Sequence, residues 1–190
     1  MRLRFAVPMM LLLLLCACGA ESNSAQTPIR VRTAITEAGG CGFTTAITSD
    51  FGEYTRDFTL SCTGTAEGET QIRVLEPEPA RDVTASVSGT DAKVSFGDTV
   101  LAVEKFDSRP ISPLAAPGLL IQAWSQGYID SVGRDGDWEQ VHYLLGYGGN
   151  QLEIITCFSG QIPVQAEISD GNRVLITCEI RDFALGEPDN

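Results

Sequence analysis

The feature that most constrains this chain is a period-two alternation of apolar and polar side chains running through nearly all of it. Phe43, Thr45, Ile47 and Phe51 share one parity, and the pattern continues through Phe58, Leu60 and Cys62, then Ile72 and Val74. It recurs at Val83–Val87, Ala92–Phe96 and Leu101–Val103, and again at Val141–Tyr147, Leu152–Phe158, Val164–Ile168 and Val174–Ile180. Side chains on a strand point alternately to opposite faces, so this alternation predicts strands with one face buried and one wet. The breaks carry turn chemistry: Ala66-Glu67-Gly68, Ser88-Gly89-Thr90, Gly148-Gly149-Asn150, Ser159-Gly160 and Asp170-Gly171-Asn172. Connections this short join antiparallel neighbours, because a parallel crossover needs a dozen residues or more. The expectation is an antiparallel meander of about nine strands, and a sheet that wide must curl.

One segment follows a different period. Between Pro113 and Val132, apolar residues fall at Leu120, Ile121, Trp124, Tyr128, Ile129 and Val132, close to the spacing of an amphipathic helix. Ser112 is placed to cap it, Pro113 to occupy its first position and Gly133 to end it. Strands, one helix and more strands predict an α+β fold: a strongly curved antiparallel sheet, open or a half-barrel, with the helix covering its concave face. The 190 residues, 43% of them hydrophobic, suit one domain, assigned to residues 29–190.

The N-terminus reads as an address. Arg2 and Arg4 precede an apolar stretch from Phe5 to Ala17 that is short for a bilayer span and suits a signal-peptide core. It ends in Leu15-Cys16-Ala17-Cys18, which resembles the bacterial lipobox. The resemblance implies cleavage after residue 17, a diacylglycerol on Cys18 and a membrane anchor on the extracytoplasmic face, the outer membrane included if the cell has one. Gly19 to Pro28, small and polar, reads as a flexible tether over residues 18–28. Loss of Arg2 and Arg4 takes the formal charge from −12 to −14. A body this acidic does not adhere to anionic lipid by itself, so the acyl chains must hold it there.

Composition excludes several functions. There are 13 Lys and Arg against 25 Asp and Glu with no basic run, which argues against a nucleic-acid partner. A single histidine, His142, leaves no Ser-His-Asp triad and no multi-histidine zinc site; it alternates outward between Val141 and Tyr143. Asp135, Asp137 and Glu139 crowd one turn without calcium-loop spacing and read as a solvated corner. No phosphate loop, nucleophile elbow or Ser-x-x-Lys occurs. The expectation is a non-enzyme with no cofactor and no metal. Four cysteines follow Cys18. A hairpin centred near residues 52 and 53 sets Cys62 opposite Phe43, one step beyond Cys41, so Cys41 and Cys62 are a candidate disulfide if the strand end bends. The alternative is two free thiols. Cys157 and Cys178 are expected on one face two strands apart, too distant to bond.

What remains is apolar surface between sheet and helix, where Phe58, Phe96, Leu120, Trp124, Tyr128, Tyr143 and Phe158 are candidates to line a ligand cavity, with Leu152 and Ile176 beside them. A filled core and a half-barrel open to an acyl chain both satisfy the pattern. Local features resemble the LolA/LprG-type superfamily of bacterial lipid- and lipoprotein-binding proteins: Val74-Leu75-Glu76-Pro77-Glu78 at a strand end, Val83-Thr84-Ala85, Val94-Ser95-Phe96, Ile111-Ser112-Pro113-Leu114-Ala115 at the helix start and Ile162 to Ile168 late in the chain. The resemblance covers residues 40 to 185 and implies a curved sheet with helical cover that holds a lipid or lipoprotein without chemistry. It carries over no individual ligand-contacting residue. The alternative is an envelope scaffold with a filled core, meeting a protein partner through its acidic surface.

Overall fold

A computed structural model describes residues 26–88, 91–103, 111–148 and 151–186. Helix α1 (Gln26–Glu37) leads into β1 (Gly40–Asp50), β2 (Thr55–Thr65), β3 (Thr70–Glu76), β4 (Thr84–Ser88), β5 (Asp91–Phe96) and β6 (Thr99–Val103). A 3-10 turn (Pro113–Ala115) opens α2 (Ala116–Gln126), and β7 (Tyr128–Asp135), β8 (Trp138–Leu145), β9 (Leu152–Ser159), β10 (Ile162–Asp170) and β11 (Arg173–Leu185) follow. The eleven strands form one antiparallel sheet in the order β6-β5-β4-β3-β2-β1-β11-β10-β9-β8-β7. Two meanders are therefore joined at the middle by the pairing of β1 with β11. The ends of the sheet do not pair with each other, so the curved α+β half-barrel expected from the periodicity is what forms, with eleven strands where about nine were expected.

The central hairpin has the expected register, with Phe43 opposite Cys62 and Asp50 opposite Thr55. Its turn is held by the Asp50 carboxylate, which accepts the Gly52 N–H at 2.6 Å and pairs with Arg173 at 3.2 Å. Gly52 sits at φ 92°, a left-handed conformation that glycine adopts without penalty.

Two helical assignments differ from the sequence reading. The helix expected to run to Val132 ends at Gln126. A Cβ at Gly127 would lie 2.6 Å from the Ala123 carbonyl oxygen, so the chain swings out there at an approach only glycine permits. The Arg32 side chain donates to the carbonyls of Trp124 and Gly127 and closes the helix end. Tyr128, Ile129 and Val132 belong to β7. A bulge between Ile129 and Ser131 lets Ile129 face Tyr143 and Val132 face Val141 on the same side of the sheet. Two core residues three apart on a bulged strand imitate helical spacing.

The second difference is α1, which begins inside the stretch read as tether and which the sequence reading did not name. It buries Pro28, Val31 and Ile35, one helical stripe. Its first turn is fixed to β8 by Thr27 Oγ1, which donates to Glu139 Oε2 at 2.9 Å. Its last turn passes through Gly39 into β1. Twelve residues rise about 18 Å, and the four strand spacings from β1 to β8 amount to about 19 Å. Helix α1 thus lies across one end of the half-barrel.

The candidate disulfide does not form: Cys41 and Cys62 are free, buried thiols. Cys41 pairs with Gly64 and Cys62 with Phe43, so they stand diagonally across the ladder, where Cα separations run to roughly 7–8 Å. Burial pushes the Cys41 thiol up to about 12 and raises that of Cys62 as well. Cys157 and Cys178 are also free, but they do not share a face. A bulge between Pro163 and Gln165 sets Cys157 opposite Gln165 while Cys178 faces Ala166.

Candidate functional site

The concave face has a filled centre and an open wing. At the centre, Trp124 is fully buried. Its ring lies 5.4 Å from Phe43, 6.0 Å from Phe183 and 6.5 Å from Phe158, centroid to centroid, and its indole N–H donates to Thr156 Oγ1 at 3.1 Å. The sheet makes room for α2 with a glycine: a Cβ at Gly64 would lie 2.6 Å from the Ile121 methyl. Leu120, Tyr143 and Phe158 are likewise fully buried, with Leu152 and Ile176 in the same core. Little or none of their surface reaches solvent.

The wing is different. One row of cross-strand partners runs Ile72, Ala85, Val94, Leu101 over β3 to β6. Ile72 and Ala85 are 3% and 2% exposed, Val94 is half-buried and Leu101 is 61% exposed. Phe96, two residues from Val94 on the same face, is 57% exposed. The apolar lining therefore continues past the edge of its helical cover.

The seven candidate cavity residues separate accordingly. Leu120, Trp124, Tyr143 and Phe158 form the packed centre, and Phe96 stands on the wing. Phe58 is half-buried and borders a groove of about 560 Å³ with Asp57, Glu76, Arg81 and Glu179. Tyr128 is 67% exposed and faces away from the core, opposite Leu144. It borders a second groove of about 580 Å³ with Arg32, Gln126 and Tyr147. Trp124 borders neither groove. Leu101 was not among the sequence candidates. The signal that could have found it is the cross-strand register, which sets it beyond Val94 in a row that starts in the core.

Polar chemistry on the concave side is sparse. The Tyr143 hydroxyl and Glu139 Oε1 are buried without a protein partner, and burial raises the Tyr143 pKa. His142 lies on the outer face as expected, with Nδ1 3.1 Å from Glu153 and Nε2 3.3 Å from Gln140. Among the described residues, no group of three His, Cys, Asp or Glu side chains could hold a metal ion. No helix among them is long and apolar enough to cross a membrane.

No family model and no curated protein matches the sequence. Solved structures resemble the fold. A LolA superfamily protein from Nitrosomonas europaea aligns at TM-score 0.47 and 11% identity, over 87% of this chain and 96% of that one. A putative outer membrane lipoprotein-sorting protein domain from Vibrio parahaemolyticus aligns at TM-score 0.49 and 10% identity, over 83% and 90%. The lipoprotein LppX of Mycobacterium tuberculosis aligns at TM-score 0.35 and 13% identity, over 86% and 95%. The likeness is in overall outline, and the site must be read from its own residues.

Proposed function

We propose that this chain is a non-catalytic bacterial envelope protein, anchored to a membrane through a lipid on Cys18, that holds an apolar ligand such as a lipid acyl chain against the open wing of its half-barrel. The observation that carries the reading is the row Ile72, Ala85, Val94, Leu101, which passes from full burial to 61% exposure along one concave face. Each exposed methylene covered there contributes about 0.8 kcal/mol, so a chain of several carbons binds without polar anchoring. The sequence supports the location, since Leu15-Cys16-Ala17-Cys18 resembles a lipobox. The packed centre supports one change from the initial expectation: the ligand lies along β4 to β6, not around Trp124.

The test is binding of a fluorescent fatty acid to the wild-type chain and to Leu101→Lys and Phe96→Ser. The wild-type binds, and each variant binds at least ten-fold more weakly while unfolding at the same urea concentration. Equal binding by all three refutes the wing as the site. A second reading, an interaction module with a filled interior, is favoured by the Trp124 cluster. It predicts no binding by any of the three.

A further inference from the structure

The anchor and the position of α1 together determine which end of the molecule faces the bilayer. We infer that the α1 end is a membrane-contact surface, with Ile29, Trp138 and Ile162 as the side chains that meet the lipid. This rests on acylation of Cys18.

Reach limits the pose. Eight peptide steps separate Cys18 from Gln26, the first residue of α1. Whatever their conformation, they span at most about 28 Å. The first turn of α1 is pinned to β8 through Thr27 and Glu139, so that end of the sheet cannot move farther than this from the lipid. What it presents is apolar in part. Ile29 is 54% exposed on the outward side of α1, and Ile162 is 54% exposed at the start of β10. Trp138, half-buried, begins β8 beside Glu139. Glu139 pairs with Phe158, Phe158 with Pro163, and Ile162 with Ser159, so the three side chains belong to one end of the sheet. Tryptophan with aliphatic neighbours is the composition that settles at the headgroup boundary.

The opposite end offers a competing surface. At the β1–β2 tip, Phe51 and Tyr54 stack with centroids 5.3 Å apart, and Arg56 lies 5.0 Å from the Tyr54 ring. An upright pose with that tip in the bilayer must lift the α1 end by the length of β1. Its eleven residues extend about 33 Å, more than the tether reaches. An upright, tip-first pose is therefore out of reach. Arg30 and Arg134 near the contact end are offset by Asp135, Asp137 and Glu139, so contact depends on apolar insertion and salt does not weaken it.

Energy transfer tests this on the full, lipidated chain in phosphatidylethanolamine–phosphatidylglycerol vesicles carrying an acceptor-labelled headgroup. Donor dyes go on Gln161→Cys at the contact end and, separately, on Glu53→Cys at the β1–β2 tip. The native thiols are buried with raised pKa values and stay unlabelled. Transfer from position 161 is expected to exceed that from position 53 several-fold and not to fall in 0.5 M salt. In Ile29→Ser/Ile162→Ser, transfer from position 161 falls. Equal transfer from the two positions, or stronger transfer from 53, overturns the orientation. Failure to float with the vesicles, with an unacylated N-terminus by mass spectrometry, overturns the anchor and this inference together. The fatty-acid binding test is independent of either result.

Discussion

Replacing Trp124 by alanine distinguishes a filled half-barrel from a hollow one. In the structure the indole is fully buried, contacts three phenylalanines and donates to Thr156. Deleting it removes a large apolar surface and leaves a cavity that α2 cannot close, because Gly64 already brings Ile121 hard against the sheet. Large-to-small aromatic substitutions of this kind cost about 3–5 kcal/mol. The fully buried Thr156 hydroxyl also loses its partner, which adds about 1 kcal/mol or more. With a urea slope of about 2 kcal/mol/M, the unfolding midpoint falls by about 2 M. Thr156→Val provides a milder companion, since it strands the indole N–H and costs about 1–3 kcal/mol. If Trp124 instead lined an empty ligand cavity, one side of the ring would face space and truncation would cost far less. A midpoint shift below about 0.5 M for Trp124→Ala, with the slope unchanged, refutes the packed centre.

Three further outcomes are expected. Gly64→Ala forces Ile121 or β2 to shift and destabilises by about 1–3 kcal/mol, measured by the same urea titration. The Cys41 and Cys178 thiols are pushed by burial from an ordinary value of 9.0 to about 12. A group whose folded pKa is raised gives stability that is full below the unfolded pKa and lost as pH climbs toward the folded one. Urea midpoints therefore decline between about pH 9 and pH 12, and Cys178→Ala shows a shallower decline; equal slopes refute the assignment. The Gly52 N–H and then Arg173 hold the Asp50 carboxyl below its ordinary range, so its contribution is present above the unfolded pKa and fades as acid titrates it. Carboxyl chemical shifts followed against pH show this, with Arg173→Gln raising the Asp50 midpoint.

The alternation made the sheet legible because strand pairing here is regular. The β1–β2 register follows from hairpin arithmetic alone, and Cys62 opposite Phe43 is what the structure contains. Legibility failed at irregularities. A bulge gave Ile129 and Val132 helical spacing, and another moved Cys157 off the face of Cys178. Helix α1 was hidden because Ile29, Val31 and the intervening arginine alternate like a strand, while its buried stripe of Pro28, Val31 and Ile35 is sparse. Among the candidate site residues, sequence identified the apolar ones but not their surroundings. Trp124 and Phe96 look equivalent as letters, yet one is enclosed by three rings and the other stands beyond the reach of α2. That difference depends on which strands the helix lies over, and no periodicity in the sequence encodes it.

The central claim is that the open wing accommodates an apolar ligand, and native mass spectrometry tests it most directly. The chain should begin at Gly19, because a start at Ile29 would delete the first turn of α1 and its tie to Glu139. Expressed in bacteria and purified without detergent, it is predicted to carry adducts of lipid mass that disappear on organic extraction and are missing from Leu101→Lys. A bare mass for the wild-type chain, persisting after incubation with a bacterial lipid extract, would contradict the account.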